Sequence, residues 1–206
     1  METTERKQHW ENIYQHKTLQ EVSWYQPTPE TSLSFIAKAT LPLDASIIDI
    51  GGGDSFLVDE LIAKGYQNIT VLDISAGAIE RAKKRLGEKA TLVKWIVSDI
   101  VQFEPTEKYD FWHDRAAFHF LTTGAEIQQY IEIAQKAIQP TGKMLIATFS
   151  EQGPQKCSGI VIQQYSEAQL EARWQPFFQK IDCARTDHHT PFNTVQNFVF
   201  CLFQKS

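Results

Sequence analysis

Three carboxylates and a run of glycines are the residues best suited to chemistry in this chain. Asp49 stands two residues before Gly51-Gly52-Gly53, Asp73 follows twenty residues after Gly53, and Asp99 comes later still. Each lies at or near the end of an apolar run: Ser46-Ile47-Ile48-Asp49-Ile50, Ile69-Thr70-Val71-Leu72-Asp73, and a third run closing in Val97-Ser98-Asp99. Glycine lacks a Cβ, so the backbone at 51–53 can turn sharply and let a ligand come close. A carboxylate after the second strand can accept two hydrogen bonds side by side, which suits a ribose diol. An acid beside the glycine turn fits an ammonium group better than a pyrophosphate. Gly51 and Gly53 fill the first two places of the dinucleotide pattern G-x-G-x-x-G, but Phe56 occupies the third, where close helix–strand packing wants glycine.

These residues need elements that bring them to one end of a sheet. After the apolar strand at 46–50, the pattern predicts a helix over 55–64 stopped by Gly65 and a strand over 68–73. Ser75 is the expected N-cap of a helix over 76–86. A strand over 91–97, a short strand over 109–112 and a helix over 124–138 follow. Pro140-Thr141-Gly142 then turns the chain into a strand over 143–149. Alternating apolar strands and amphipathic helices predict a parallel sheet wrapped by helices, with ligands bound at the carboxyl ends of its strands. The end of the chain differs. A helix over 166–173 precedes two β-like runs, 177–187 and 194–203, whose short connection implies an antiparallel pair. Ahead of the sheet, helices over 5–15 and 30–39 flank a proline-stiffened segment, 21–29, that carries Trp24 and Tyr25. Leu33, Phe35 and Ile36 are expected to face inward.

Asp49, Gly51, Gly53 and Ser55, with Asp73 and Asp99 downstream, resemble the motifs of class I S-adenosylmethionine-dependent methyltransferases. The resemblance covers the chain from about Ser46 to its end, and the N-terminal helices more loosely. It implies an α/β, Rossmann-like, seven-stranded and mostly parallel sheet flanked by helices and ending in an antiparallel hairpin. It implies S-adenosyl-L-methionine as cofactor, held by Asp49, Gly51, Gly52, Gly53, Asp73, Ile74, Asp99 and Ile100. Asp73 would take the ribose, Asp99 the adenine amino group with Ile100 against the ring, and Asp49 the methionine ammonium. Alternatively, Asp99 only caps the following loop and Asp49 only holds the glycine turn.

The fourth strand runs into His113-Asp114-Arg115-Ala116-Ala117-Phe118-His119-Phe120. In this fold that strand end borders both cofactor tail and acceptor, so His113, Asp114, Arg115 and His119 are candidate catalytic residues, with His113 also facing the cofactor. The alternative is a structural Asp114–Arg115 ion pair and a histidine that only packs. Trp24 and Tyr25 are candidate lid residues over the cofactor, since a sulfonium can rest on an aromatic face. Trp10 and Tyr14 are read as packing, and residues 153–159 as a mobile loop over the substrate or plain surface. His188 and His189 are neighbours that on a strand face opposite sides, so no metal site is expected.

The 206 residues are expected to form one domain, with 1–44 a helical lid segment and 45–206 the Rossmann-like core. A net charge of −5 argues against general nucleic-acid binding. Cys157, Cys183 and Cys201 are widely spaced, with no CxxC pair, and read as reduced thiols in a cytoplasm. No run approaches transmembrane length and the first residues are polar, so neither a membrane nor a signal peptide is expected. The expected activity is methyl transfer to a small molecule or a protein lysine by a monomer or homodimer. The alternatives are an NAD(P)-dependent oxidoreductase, against which Phe56, Asp49 and the lack of a Tyr-x-x-x-Lys pair speak, and a non-catalytic S-adenosylmethionine-binding module.

Overall fold

A computed structural model describes residues 3–206. Seven strands make one sheet: β1 (Ser46–Ile50), β2 (Asn68–Asp73), β3 (Val93–Val97), β4 (Tyr109–Arg115), β5 (Ile138–Phe149), β8 (Phe178–His189) and β9 (Val195–Lys205). Their order is β3-β2-β1-β4-β5-β9-β8. The first five run parallel, β9 is antiparallel to β5, and β8 is antiparallel to β9. Helices α1 (Thr3–His16), α2 (Glu30–Lys38), α3 (Leu57–Ala63), α4 (Ala76–Leu86), α5 (Gly124–Ala137) and α6 (Glu167–Trp174) cover it. The expected Rossmann-like sheet with its closing hairpin is therefore present.

Local chemistry explains the boundaries. Ile47 and Ile48 of β1 are both fully buried, one toward each face, as a strand covered on both sides requires. The same alternation sends Phe111 of β4 into the core layer with Phe35, Phe149 and Phe198, and its neighbour Trp112 into the layer with Tyr130, Phe118 and Trp174. The Ser75 hydroxyl accepts from the Ala78 amide at 3.1 Å and starts α4. Thr123 with Glu126, and Ser166 with Gln169, form capping boxes on α5 and α6.

Three expectations change. β4 is longer than the apolar run alone suggests, because its polar residues 113–115 pair with β1 and β5. β5 starts at Ile138, and residues 139–142 are absorbed as an irregularity between the pairs Tyr109–Ile138 and Phe111–Lys143. Residues 153–159 are no bare loop: β6 (Lys156–Cys157) and β7 (Ile160–Val161) form a small hairpin.

The reading of all three cysteines as reduced thiols is also corrected. Cys183 of β8 lies directly opposite Cys201 of β9, with Cα atoms 4.2 Å apart, and the two are disulfide-bonded. Cys157 is a buried free thiol, and burial pushes its pKa up to about 11. Among the described residues no helix is long and apolar enough to cross a membrane.

Asp114 anchors the turn that follows β4. It is fully buried and accepts from the Tyr130 hydroxyl at 2.6 Å and from the amides of Ala117 and Phe118 at 2.9 and 3.1 Å. Burial raises its pKa to about 6 against those hydrogen bonds. Removing the carboxylate leaves three donors unsatisfied, two of them buried. Asp114→Ala is therefore expected to lower the unfolding free energy by about 3 kcal/mol, and Asp114→Asn by less, in urea denaturation. An unchanged transition for Asp114→Ala would mean that the turn does not depend on this side chain.

Candidate active site

The chain leaves β1 through the glycines. The amides of Gly51 and Gly52 both donate to the Leu72 carbonyl of β2, at 2.8 and 3.3 Å. Gly51 has φ +66°, a left-handed conformation that glycine tolerates. A Cβ on Gly52 would stand 2.4 Å from Asp49 Oδ2, and one on Gly53 would stand 2.5 Å from Asp73 Oδ2. Only glycine lets the turn lie this tightly over two carboxylates. Asp54, next in sequence, is paired with Arg85 and, at 2.9 Å, with Arg81. Both arginines come from α4, so the turn is pinned to that helix.

Asp49 sits between Val71 of β2 and His113 of β4 in register. His113 Nδ1 lies 2.6 Å from Asp49 Oδ1 and its Nε2 lies 2.9 Å from the Ser32 hydroxyl of α2. A carboxylate only accepts, so Nδ1 carries the proton in this bond. Asp49, His113 and Ser32 form a buried chain of three polar groups along the cavity wall. Asp73 accepts from the Ser75 amide at 2.8 Å. Its burial, with the charges of Asp49 and Glu11 nearby, pushes its pKa up to about 7.

The adenine-side acid is already engaged. Arg6 of α1 donates to Asp99 at 3.0 and 3.2 Å and also pairs with Glu126 of α5. Asp99 also accepts from the Val101 amide at 3.2 Å, so it does cap the following turn. Glu11 of α1 accepts from the Ser75 hydroxyl and from the amides of Ala76 and Gly77 at the start of α4. These two contacts lay α1 across the strand ends.

One cavity collects most of the expected residues. Asp49, Gly51, Gly52, Asp73, Ile74, Asp99, Ile100 and His113 all line it, together with Trp24, Tyr25 and Arg115. Gly53 lies behind its neighbours, against Asp73 and Ala78. Trp10 and Tyr14, expected only to pack, line it as well. Trp10 meets Trp24 at 5.7 Å and Phe120 at 5.1 Å, both edge to face.

Two catalytic candidates are placed elsewhere. Asp114 and Arg115 are successive strand residues facing opposite sides, so they form no ion pair; Asp114 points into the core behind the sheet end and Arg115 into the cavity. His119 is fully buried beside Phe149 and Phe120, outside the cavity lining, and burial drives its pKa down to about 3. His188 is buried and donates from Nε2 to the Ser23 carbonyl at 2.6 Å, whereas His189 is exposed. The described residues contain no cluster able to hold a metal ion.

Among the other residues lining the cavity are Arg6, Ser32, Phe120 and Cys157. Ser32 looks like one more polar residue near a helix start, and Arg6 like a surface charge. Phe120, in the run after β4, and Cys157, within residues 153–159, each lay in a stretch with a local signal. The cations nearest the glycine turn, Arg81 and Arg85, are taken up by Asp54, and Asp49 faces the same space. This wall suits a cationic and hydroxylated ligand and offers little to a pyrophosphate.

The sequence model of the family described as Methyltransferase domain matches residues 43–191. A malonyl-[acyl-carrier protein] O-methyltransferase of Anoxybacillus flavithermus is 33% identical over 108 residues, which is 52% of this chain and 39% of that protein. EEF1A lysine methyltransferase 2 of Mus musculus is 26% identical over 160 residues, 69% of this chain and 64% of that one. The chain thus spans between about two fifths and two thirds of the length of these curated relatives. The N-methyltransferase NodS of Bradyrhizobium japonicum, crystallised with S-adenosyl-L-homocysteine, has the same fold: TM-score 0.66 at 16% identity, covering 87% of this chain and 88% of that one. The glycine turn, the strand-end acids beside it and the family match over most of the chain agree, and the chain belongs to the class I S-adenosylmethionine-dependent methyltransferases.

Proposed function

We propose that the cavity binds S-adenosyl-L-methionine and that its methyl group passes there to a small-molecule or protein-lysine acceptor. The observation that carries this reading is the convergence of Asp49, Asp73 and Asp99, from the ends of three strands, on one cavity roofed by the glycine turn. Asp73 is the acceptor for the ribose diol. Asp49, oriented by His113, faces the methionine ammonium. Asp99 and Ile100 flank the adenine, and the amino group shares or replaces the bond that Asp99 receives from Arg6. Residues 1–44 act as a lid, held down by Arg6 and Glu11 and lined by Trp10, Tyr14, Trp24 and Tyr25; residues 45–206 are the core.

The bound cofactor supplies a methyl group already activated on a sulfonium, with a neutral thioether as leaving group. The protein's residues then have three tasks: to position the nucleophile, to exclude water and to receive its proton. The aromatic lid excludes water. For the proton, the chain Ser32–His113–Asp49 is the one histidine-containing relay in the cavity wall among the described residues, and His119 stands outside it. The Cys183–Cys201 bond is the observation that pulls against a cytoplasmic setting.

The test is a calorimetric titration with S-adenosyl-L-homocysteine, S-adenosyl-L-methionine and NAD side by side. The first two are expected to bind and NAD is not; binding of NAD alone would make the site a dinucleotide site. Asp73→Ala should weaken S-adenosyl-L-homocysteine binding by at least about tenfold, since it deletes hydrogen bonds to a charged acceptor. Full affinity in the folded variant would remove the ribose from Asp73.

A pH dependence follows from the same residue. The diol donates to the ionised carboxylate, and burial has raised the Asp73 pKa to about 7. The acceptor form therefore fills as pH rises, and binding in turn lowers the pKa. Affinity for S-adenosyl-L-homocysteine should increase from pH 6 to pH 8 and level off above, whereas Asp73→Asn should bind weakly with no such rise. A flat wild-type profile would contradict this.

A further inference from the structure

Two arginines line the cavity, and they differ in one respect. Arg6, at the adenine end, meets the carboxylates of Asp99 and Glu126. Arg115, where β4 ends, meets none: among the described residues no aspartate or glutamate lies within ion-pair distance of it. Its Nη1 donates to the Trp24 carbonyl at a long 3.4 Å, and its guanidinium lies 4.8 Å from the Phe198 ring centre. Nε and Nη2 are buried and have no hydrogen-bond partner. A guanidinium placed inside a protein normally has a carboxylate to offset its lost hydration, so this one is a charge without a counter-ion.

Its surroundings keep it so. His119 and His188 hold their pKa values down to about 3 and about 4, first through burial and then through the charge of Arg115, and both stay neutral. Cys157 on the β6–β7 hairpin is a thiol rather than a thiolate. Asp49, the acid whose charge Arg115 senses, is hydrogen-bonded to His113. The residue after Arg115, Ala116, has φ +69°, an uncommon conformation for a residue with a Cβ. Chain direction therefore changes abruptly just where the guanidinium meets the cavity.

Nε and Nη2 form one edge of the guanidinium, two parallel N–H groups that match the two oxygens of a carboxylate. No hydrogen bond holds that edge, and the Trp24 contact that holds the other is long. Few polar contacts therefore fix the side chain where it lines the cavity. One guanidinium balances the single charge of a carboxylate, whereas a phosphate dianion would call for more donors. A lysine acceptor would bring a second cation to this wall.

We propose that Arg115 receives a carboxylate of the methyl acceptor, so that the substrate is a small carboxylic acid rather than a protein lysine. This rests on the reading of the cavity as a methyl-transfer site, and the test separates the two. Calorimetric titrations of the full chain, with and without saturating S-adenosyl-L-homocysteine, would use acetate, malonate, benzoate and indole-3-acetate, each beside its primary amide, together with inorganic phosphate. At least one carboxylate is expected to bind about tenfold more tightly than its amide, as a charge-assisted bidentate pair should. Arg115→Gln should abolish that preference and Arg115→Lys should retain part of it, since lysine keeps the charge and loses the fork. A cooperative urea transition close to that of wild type reports that each variant is folded. Four equal pairs, a preference that survives Arg115→Gln, or phosphate binding more tightly than every carboxylate would overturn the proposal. Failure of S-adenosyl-L-homocysteine to bind wild type would instead overturn the methyl-transfer reading, while the carboxylate titrations without it still report on Arg115.

Discussion

The architecture of the site depends on how closely the backbone of Gly52 and Gly53 approaches the carboxylates of Asp49 and Asp73. At separations of 2.4 and 2.5 Å for a hypothetical Cβ, no side chain fits. The turn can therefore lie directly on two strand ends, and the strand ends can keep their acids facing the same space. β1 lies inside the sheet, between β2 and β4, so the acids of β1 and its neighbour β2 belong to one rigid surface. That rigidity holds the two carboxylates at a fixed spacing toward one space.

Gathering acids in this way has an electrostatic cost, which the structure offsets unevenly. Asp54 is buried against two arginines of α4, and Asp99 against Arg6 of α1. Asp49 has a histidine. Asp73 has backbone amides and no cation, and its raised pKa records the difference. The acid left without a cation is the one that a hydroxyl-rich ligand can satisfy. Arg115 is the converse case, a half-buried cation in the same cavity left without an acid. Both are groups that protein contacts alone do not satisfy.

Strand alternation decides which polar residues of β4 reach the cavity. His113 and Arg115 face it, while Asp114 between them turns to Tyr130 and holds the following turn. Three adjacent polar residues thus have different work. The N-terminal helix completes the enclosure through Arg6 and Glu11, two charges that reach over strands distant in sequence.

Much of this was legible in the chain alone. The apolar runs, the glycine turn and the acids spaced at strand ends determine the sheet, its helices and the location of the site, because they are local patterns with one geometric solution. Ser75 as an N-cap is local in the same sense. What the tertiary structure decided depends on distance in space rather than in sequence. Cys183 and Cys201 are 18 residues apart and become partners only when β8 and β9 pair. Ser32 joins His113 and Asp49 because α2 lies over β1 and β4. Trp10 and Tyr14 become cavity wall because α1 is drawn across the strand ends. Arg115 has no counter-ion because of which groups fold around it, and a sequence states the charge of a residue but not the company it keeps.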